Sequence, residues 1–286
     1  MTIDPGFLKE LEKFDSELKR KVNDIFQGEQ ESPHVGEGLT FSDYRKYSPG
    51  DDTRLIDWKL YARTDELYIK QFEEERNLTI HVLLDASESM DFGDGVKNKF
   101  EYAAKIGLGY CYLSAQENND FRFSVFQDGY ERLDQGASNR GEILSLIDQL
   151  NDIEPSGEAD FGKALPNYAA KISSRSLVLV VSDFIGDQKD IEKGVRSLSQ
   201  NYLNLAHIVA PEERELPTEG DTIFEGIETG LELRTYLSRR LKKKYQQSLD
   251  EHITHVSEQA VGPNLEHVLI NTGDEFFDSF TEVWVD

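Results

Sequence analysis

The feature that most constrains the fold is a change in the hydrophobic pattern of the sequence at Leu78. From there on, short runs of β-branched and other apolar residues alternate with segments of helical periodicity, the pattern of βαβ units stacked on a mostly parallel sheet. The run Leu177-Val-Leu-Val-Val181 is apolar at every position, as a central strand covered on both faces requires. The sequence therefore predicts a doubly wound α/β domain over residues 78–286.

The hydrophobic periodicity also places the elements of this domain along the chain. The predicted strands are 78–84, 121–126, 130–134, 176–182, 204–209 and 266–270. The predicted helices are 98–116, 139–150, 161–173, 188–200, 235–256 and 274–283. Residues 215–233 follow neither period, and we interpret them as two short strands or an irregular excursion.

Residues 1–77 are predicted to form an N-terminal extension with helical and β parts. Apolar residues recur at spacings of three and four from Phe7 to Ile25, which predicts an amphipathic helix over residues 6–27. Residues 29–38 are rich in Gly, Pro and acidic residues, a composition typical of a linker. The pattern of residues 67–72 indicates a strand.

Composition limits the partners and the compartment. The chain has 31 Lys and Arg against 55 Asp and Glu, a formal net charge of −24, which opposes phosphate backbones and anionic membrane surfaces. Cys111 is the only cysteine, so neither an intramolecular disulfide nor a cysteine-based zinc site can form. Because no apolar segment is long enough for a signal core or a membrane span, we expect a soluble, cytoplasmic protein that binds neither nucleic acid nor membrane.

Two predicted strand ends hold the residues that point to a functional site. One strand runs into Asp85-Ala-Ser87-Glu-Ser89, and a later one ends at Asp183. Side chains at the carboxyl ends of parallel strands meet at one edge of the sheet, where open α/β sheets bind ligands. Their carboxylate and hydroxyl oxygens are hard donors suited to Mg²⁺ or Mn²⁺, although the same groups also serve as capping residues of turns.

These residues resemble the metal-ion-dependent adhesion site of von Willebrand factor A (VWA) domains. Asp85, Ser87 and Ser89 match the Asp-x-Ser-x-Ser motif of that family, and Asp183 matches its later strand-end aspartate. The resemblance implies a VWA-like doubly wound fold and a protein-interaction site. In such a site, a divalent ion would bridge to a carboxylate-bearing protein ligand.

One position departs from the motif and leaves other interpretations open. Ala159 stands where the family usually has a metal-binding threonine, and Asp160 beside it is the candidate substitute. A second interpretation is therefore a scaffold with a degenerate, metal-free site. A third is a Mg-dependent phosphoryl hydrolase with Asp85 as its nucleophile. The third is disfavoured because Ser87 occupies the position of the usual second carboxylate, and with no other convincing catalytic constellation we do not expect an enzyme.

Residues 38–76 interleave arginines with aspartates, from Gly38-Leu-Thr-Phe to Phe-Glu-Glu-Glu-Arg76. This segment resembles the hallmark segment of the bacterial domain-of-unknown-function family 58, in which it precedes a VWA-like domain. The resemblance implies an adaptor that works with a MoxR-type AAA+ ATPase in the assembly or maturation of other proteins. Interleaved Arg and Asp suit either a structural brace or an interaction face. The predicted partner-binding residues are Arg45, Asp52, Arg54, Asp57, Trp58 and Arg63.

Overall fold

The computed structural model describes residues 3–26, 39–47, 66–74, 78–93, 95, 98–216, 220–225 and 232–285. The chain forms two compact units, of which one contains residues 1–19 and 78–286 and the other contains residues 20–77. Among the described residues, no helix is both long and apolar enough to cross a membrane.

The strands and helices are numbered in the order in which they occur along the chain. The strands are β1 (Leu39–Lys46), β2 (Tyr68–Glu74), β3 (Thr79–Asp85), β4 (Asp120–Phe126), β5 (Tyr130–Arg132), β6 (Leu177–Ser182), β7 (Tyr202–Val209), β8 (Gly220–Glu225), β9 (Glu232–Leu237) and β10 (Leu265–Asn271). The helices are α1 (Phe7–Phe26), α2 (Lys99–Gln116), α3 (Arg140–Asn151), α4 (Phe161–Ala169), α5 (Gln188–Leu198), α6 (Pro211–Arg214), α7 (Arg239–Gln259) and α8 (Phe276–Val285). A 3₁₀ turn covers Glu88–Met90.

The larger unit is built on a six-stranded sheet with the strand order β10-β7-β6-β3-β4-β5. Neighbouring strands are parallel except for β4 and β5, which are antiparallel. From β3 the chain first moves outward to β4 and β5 and later returns to β6 on the other side. The switch point of the sheet, where ligands bind in open α/β folds, therefore lies between β3 and β6. The predicted doubly wound, mostly parallel sheet is confirmed.

Helices cover both faces of this sheet, and the alternation of side chains along each strand supplies both cores. Val82 and Leu84 of β3 lie in a buried cluster with α1, α2, α3 and α8. Leu83 faces the other way, toward a cluster with α4, α5 and Val256 of α7. The continuous apolar run of β6 follows from this arrangement, because Leu179 packs on the first face and the next residues alternate.

The first turns of α1 belong to the core of the larger unit. Phe7, Leu8 and Leu11 are buried in the cluster that includes α8, and the ring of Phe14 stacks on Phe277 with 5.0 Å between centroids. Phe7 and Phe14, in the first part of the predicted apolar stripe, therefore pack against α8. The sequence placed this whole helix in an extension ending at residue 77, whereas the packing groups residues 1–19 with residues 78–286.

In the described residues, two short antiparallel pairs lie outside the six-stranded sheet. β1 pairs with β2 in the smaller unit, with a register shift between Phe41 and Asp43; β1 was not predicted from the sequence. β8 pairs with β9, which corresponds to the two-strand interpretation of residues 215–233. The predicted helix 235–256 begins instead at Arg239, because β9 extends to Leu237 and the Ser238 side chain caps the helix by accepting a hydrogen bond from Leu241 N. The predicted linker at 29–38 lies outside the described residues.

The contact between α4 and α5 depends on the absence of a side chain at Gly194. A Cβ atom at this position would lie 2.7 Å from the Phe161 carbonyl oxygen and 2.9 Å from Leu165 Cδ1. We therefore expect Gly194→Ala to lower the free energy of unfolding in urea by about 1–3 kcal/mol, although alanine is the better helix former. Gly129→Ala is the control, because no atom lies within 4 Å of its added Cβ. Equal stabilities of the two variants would contradict the close approach.

A second prediction concerns the dependence of stability on pH. His81 Nδ1 lies 2.8 Å from the Tyr168 hydroxyl oxygen. Burial, and then the positive charge of Arg122, lower the pKa of His81 to about 4. Because the unfolded imidazole binds a proton from about pH 6.5 downward, unfolding takes up a proton between these two values. Stability is therefore complete above about pH 6.5 and falls as the pH drops toward 4, by at most about 1.4 kcal/mol per pH unit from this group.

His81→Gln removes the titrating group at this position. We expect the urea midpoint of His81→Gln to depend less steeply on pH than that of the wild type between about pH 6.5 and 4.5. Both proteins retain the same carboxylates, so their titration cancels in the comparison. Parallel curves for the two proteins would contradict a neutral, buried His81.

Candidate functional site

The carboxyl ends of β3 and β6 bring Asp85 and Asp183 to the switch point of the sheet. The two strands are parallel neighbours, with Leu84 paired to Val181, so the residues that follow leave the sheet side by side. Asp85 is 0% exposed and Asp183 is 3% exposed. Two carboxylates removed from water at such short range need partners for their charge and their oxygens.

Asp85 is held by one hydrogen bond to each carboxylate oxygen. Ser87 N donates to Oδ1 at 2.8 Å, and the hydroxyl of Ser182 donates to Oδ2 at 2.5 Å. The hydroxyl oxygens of Ser87 and Ser89 lie 3.1 Å apart. The residues of the Asp-x-Ser-x-Ser motif therefore form one buried polar cluster. Ser182 was missed from the sequence, although a serine ending an otherwise apolar strand is the signal that could have revealed it.

The electrostatic environment differs between the two aspartates. Burial, and then the negative charge of Asp183, raise the pKa of Asp85 to about 7. Asp183 instead has a cation beside it, because Lys99 Nζ donates to its Oδ2 at 2.7 Å. A cation thus compensates the negative charge of Asp183, whereas Asp85 has no such partner among the described residues.

Lys99, the first residue of α2, is the other site residue that the sequence did not single out. Its ammonium group also lies 2.8 Å from Glu213 Oε1 of α6, and its side chain is 1% exposed. Burial alone would lower the pKa of Lys99, but Asp183 and Glu213 outweigh burial and raise it, so the side chain is charged. The available signal was a lysine at the start of a predicted helix, where the helix dipole disfavours a cation.

The loops around this cluster are tied to one another through backbone groups. Glu88 N donates to Gly157 O at 2.9 Å, and Ser156 N donates to Ala86 O at 3.0 Å. The side-chain amide of Gln127 also donates to Ala86 O, at 2.6 Å. The loop after β3 and the loop before α4 therefore form one hydrogen-bonded surface at the edge of the sheet.

Asp160 and Ala159 belong to this second loop but line a neighbouring cleft. Asp160 is the N-cap residue of α4, and its side chain makes no capping hydrogen bond. The cleft has a volume of about 510 Å³ and does not include Asp85, Ser87 or Ser89. Its acidic residues are Asp128, Glu158, Asp160, Asp187 and Asp190.

Phe184 and Ile185 connect the buried cluster to this cleft. Phe184 has φ of 54°, a left-handed conformation that is uncommon for a bulky residue, and its buried ring stacks on Phe161 at 5.8 Å between centroids. Ile185 N donates to Asp183 Oδ1 at 3.0 Å. The Ile185 side chain is 42% exposed and lines the acidic cleft. A buried polar network thus fixes the backbone that presents an apolar side chain to solvent.

The donor set does not fit a resident Mg²⁺ or Mn²⁺ ion. In the described part of the chain, no three His, Cys, Asp or Glu side chains converge in a way that would hold a metal, so an ion here would depend on the Ser87 and Ser89 hydroxyls, which lie 3.1 Å from each other. Every carboxylate oxygen of Asp85 and Asp183 accepts a hydrogen bond from the protein, and Lys99 already provides a positive charge at Asp183. Ala159 offers no hydroxyl. The metal ion stays a prediction, and the residues at the site argue against it.

The predicted partner-binding face lies mostly outside the described residues. Arg45 lies in β1 opposite Ile69 of β2, and its side chain contacts are not part of the described structure. The other members, Asp52, Arg54, Asp57, Trp58 and Arg63, fall outside the described residues altogether. Their role stays a prediction.

The chain belongs to the family described as "Protein of unknown function DUF58", whose model matches residues 43–255. A similar relative is the uncharacterized protein Rv1480 of Mycobacterium tuberculosis, which is 22% identical over 258 residues, covering 89% of this chain and 81% of that protein. The predicted family and the predicted VWA-like α/β fold are both confirmed.

Two solved structures are similar to this chain in fold. One is an aerotolerance-related membrane protein from Bacteroides fragilis, with 17% identity and a TM-score of 0.47 over 73% of this chain and 97% of that chain. The other is the VWA domain of SpRpn10, with 17% identity and a TM-score of 0.42 over 71% of this chain and 93% of that chain.

The hydrogen bonds of Ser182 give a testable prediction for the site. Ser182→Ala leaves Asp85 Oδ2 without its hydroxyl donor and Phe184 N without its acceptor. We expect the free energy of unfolding to fall by about 1–3 kcal/mol, because both groups stay buried. Ser199→Ala is the matched control, since its hydroxyl donates to Arg196 O at 2.8 Å on the exposed surface. Equal losses in urea unfolding would show that the Ser182 bonds do not hold this edge.

Proposed function

We propose that this protein is a non-enzymatic interaction module that binds a protein partner through the loops at the carboxyl edge of its sheet. The observation that carries the proposal is the presentation of Ile185, which is 42% exposed and directly follows the buried Asp183 and Phe184. Scattered exposed apolar residues are common on proteins. Ile185 differs from them because a hydrogen bond to the buried Asp183 fixes its backbone.

A fixed apolar side chain is suited to binding. The hydrogen bond from Ile185 N to Asp183 Oδ1 and the buried ring of Phe184 hold this loop in one conformation, so little conformational entropy remains to be lost on association. Burying an isoleucine side chain contributes about 1.5–3 kcal/mol. The left-handed backbone of Phe184 also supports a functional role, because such strained residues cluster at ligand-binding sites.

The charge around Ile185 favours a partner with basic side chains. The cleft beside it is lined by Asp128, Glu158, Asp160, Asp187 and Asp190, and the chain as a whole has a net charge of −24. These carboxylates attract cations over distances of a Debye length and repel anions. A carboxylate-bearing ligand, expected from the metal-bridged mechanism, would need the bridging ion to overcome this repulsion.

The identity of the partner and the compartment rest on the family resemblance and on composition. The resemblance supports a MoxR-type AAA+ ATPase as the partner and a role in the assembly or maturation of other proteins. A cytoplasmic location is supported by the single, buried Cys111. Both belong to this proposal, and a binding experiment with the ATPase tests the partner.

The geometry disfavours one alternative, the phosphoryl hydrolase, and agrees with the other, the metal-free scaffold. A phosphoryl hydrolase would need Asp85 to reach its substrate as a nucleophile, but Asp85 has no exposed surface and both its oxygens accept hydrogen bonds. The metal-free scaffold agrees with the ammonium of Lys99 beside Asp183. A metal-free interaction module is therefore the form of the proposal that the side chains support best.

Replacing Ile185 tests the proposal. We expect Ile185→Ser to weaken binding to the purified MoxR-type ATPase of the source organism by about tenfold or more, because 1.4 kcal/mol of lost apolar burial is already tenfold. Leu144→Ser is the matched control, because Leu144 is 38% exposed on α3. Binding would be measured by fluorescence anisotropy, with circular dichroism as the check of folding. Equal affinities of the two variants, or no binding by the wild type, would contradict the proposed surface or partner respectively.

A further inference from the structure

The buried ammonium group of Lys99 is the least expected feature of the site. Lysine is almost never fully buried unless it is paired, and here it is also the first residue of α2, where the helix dipole opposes a cation. Its side chain is nevertheless 1% exposed, with Nζ 2.7 Å from Asp183 Oδ2 and 2.8 Å from Glu213 Oε1. The cost of burying the charge and the unfavourable helix dipole are thus offset by the carboxylates of Asp183, after β6, and Glu213, in α6.

Neighbouring groups fix the position of this ammonium. Glu213 is itself anchored, because its Oε2 accepts a hydrogen bond from Ala210 N at 2.7 Å. The backbone of Lys99 is held by the bond from its N–H to Phe92 O at 2.8 Å, and Nζ lies 5.5 Å from the centroid of the Phe92 ring. The ammonium is therefore preorganised between β6, α2 and α6, and is not a flexible surface charge that happens to pair.

This cation binds one of the two aspartates that the sequence motif predicts as metal ligands. Asp183 was expected to be a metal ligand, yet its Oδ2 binds Lys99 and its Oδ1 binds Ile185 N. An ion that shared Asp183 with the ammonium would stand close to a buried like charge, which the low dielectric of the interior makes strongly unfavourable. The missing hydroxyl at Ala159 removes a further reason for an ion to bind.

We propose that the ammonium group of Lys99 is the built-in cation of the Asp85–Asp183 site and that the site keeps its structure and its binding activity without a divalent metal ion. Lys99 supplies the charge compensation, Asp183 and Glu213 hold it in place, and the Ser87, Ser89 and Ser182 hydroxyls complete the polar cluster. Partner binding without metal presupposes the function proposed above, whereas the exclusion of metal from the site does not.

The test is a titration of Mn²⁺, and separately of Mg²⁺, into the chelator-treated full-length protein. Binding is followed by calorimetry and by the electron paramagnetic resonance signal of free Mn²⁺. The wild type is expected to show no saturable binding at millimolar metal. Lys99→Ala leaves Asp183 and Glu213 without their cation, so it is expected to gain Mn²⁺ affinity by about tenfold or more and to regain part of its lost Tm when Mn²⁺ is added.

Lys105→Ala is the matched control on the same helix. Lys105 Nζ pairs with Glu101 Oε1 at 2.8 Å, so this variant also loses a lysine–carboxylate pair but is expected to gain no metal binding. Saturable Mn²⁺ binding by the wild type that Ser87→Ala abolishes would overturn the proposal. So would a folded Lys99→Ala that gains no Mn²⁺ affinity. If Lys99→Ala does not fold, the wild-type titration decides, since its lack of saturable binding supports the built-in cation.

The partner assay separates this inference from the proposed function. Binding of the ATPase is measured in a buffer with chelator and in one with Mg²⁺, and equal affinities are expected. A partner that binds only with Mg²⁺ would overturn the inference while supporting the interaction site. A partner that binds in neither buffer would contradict the proposed function, and the metal titrations would still report on Lys99.

Discussion

The structure of the working edge depends on how two buried carboxylates at the switch point are compensated. Asp85 and Asp183 are brought together because β3 and β6 are parallel neighbours that end at the same level. Removing one partner from a buried ion pair leaves an uncompensated charge, which commonly destabilises a protein by about 3–5 kcal/mol. The loops after β3 and β6 are therefore held by the hydrogen bonds of these two aspartates. Lys99 binds Asp183, and Asp183 in turn accepts the hydrogen bond from Ile185 N.

The parts of the fold that were predictable are those encoded by local periodicity. A strand covered on both faces is apolar at every position, so β6 was evident from its sequence, and α1 was evident from its apolar stripe. The packing partner of that stripe was not predictable, because Phe14 stacks on Phe277, which is far away in the sequence. The start of α7 was misplaced for a related reason, since residues 232–237 are held in β9 by pairing with β8 and not by their own preference.

The candidate site likewise contains residues that were predictable from the sequence and residues that were not. Asp85, Ser87, Ser89 and Asp183 stand at strand ends, so their meeting followed from the predicted topology. Lys99 and Glu213 are separated from Asp183 by long stretches of chain, and nothing in their local sequence indicates that they bind it. Asp160 follows the motif in sequence but faces the neighbouring cleft, because the start of α4 directs the loop there. Motif spacing therefore predicted that the four side chains meet, and side-chain packing determined the charges around them.

In the proposed interaction module, that charge would determine which partners the edge can bind. The ammonium of Lys99 contributes +1 and the carboxylates of Asp183 and Glu213 contribute −2, so this triad has a net charge of −1. A divalent ion between the same carboxylates would have left the triad neutral and able to accept a further carboxylate from outside. With Lys99 between them, this triad stays negative, and the cleft beside Ile185 is acidic as well. Under the function proposed above, one buried lysine would thus change the expected ligand from an acidic to a basic segment.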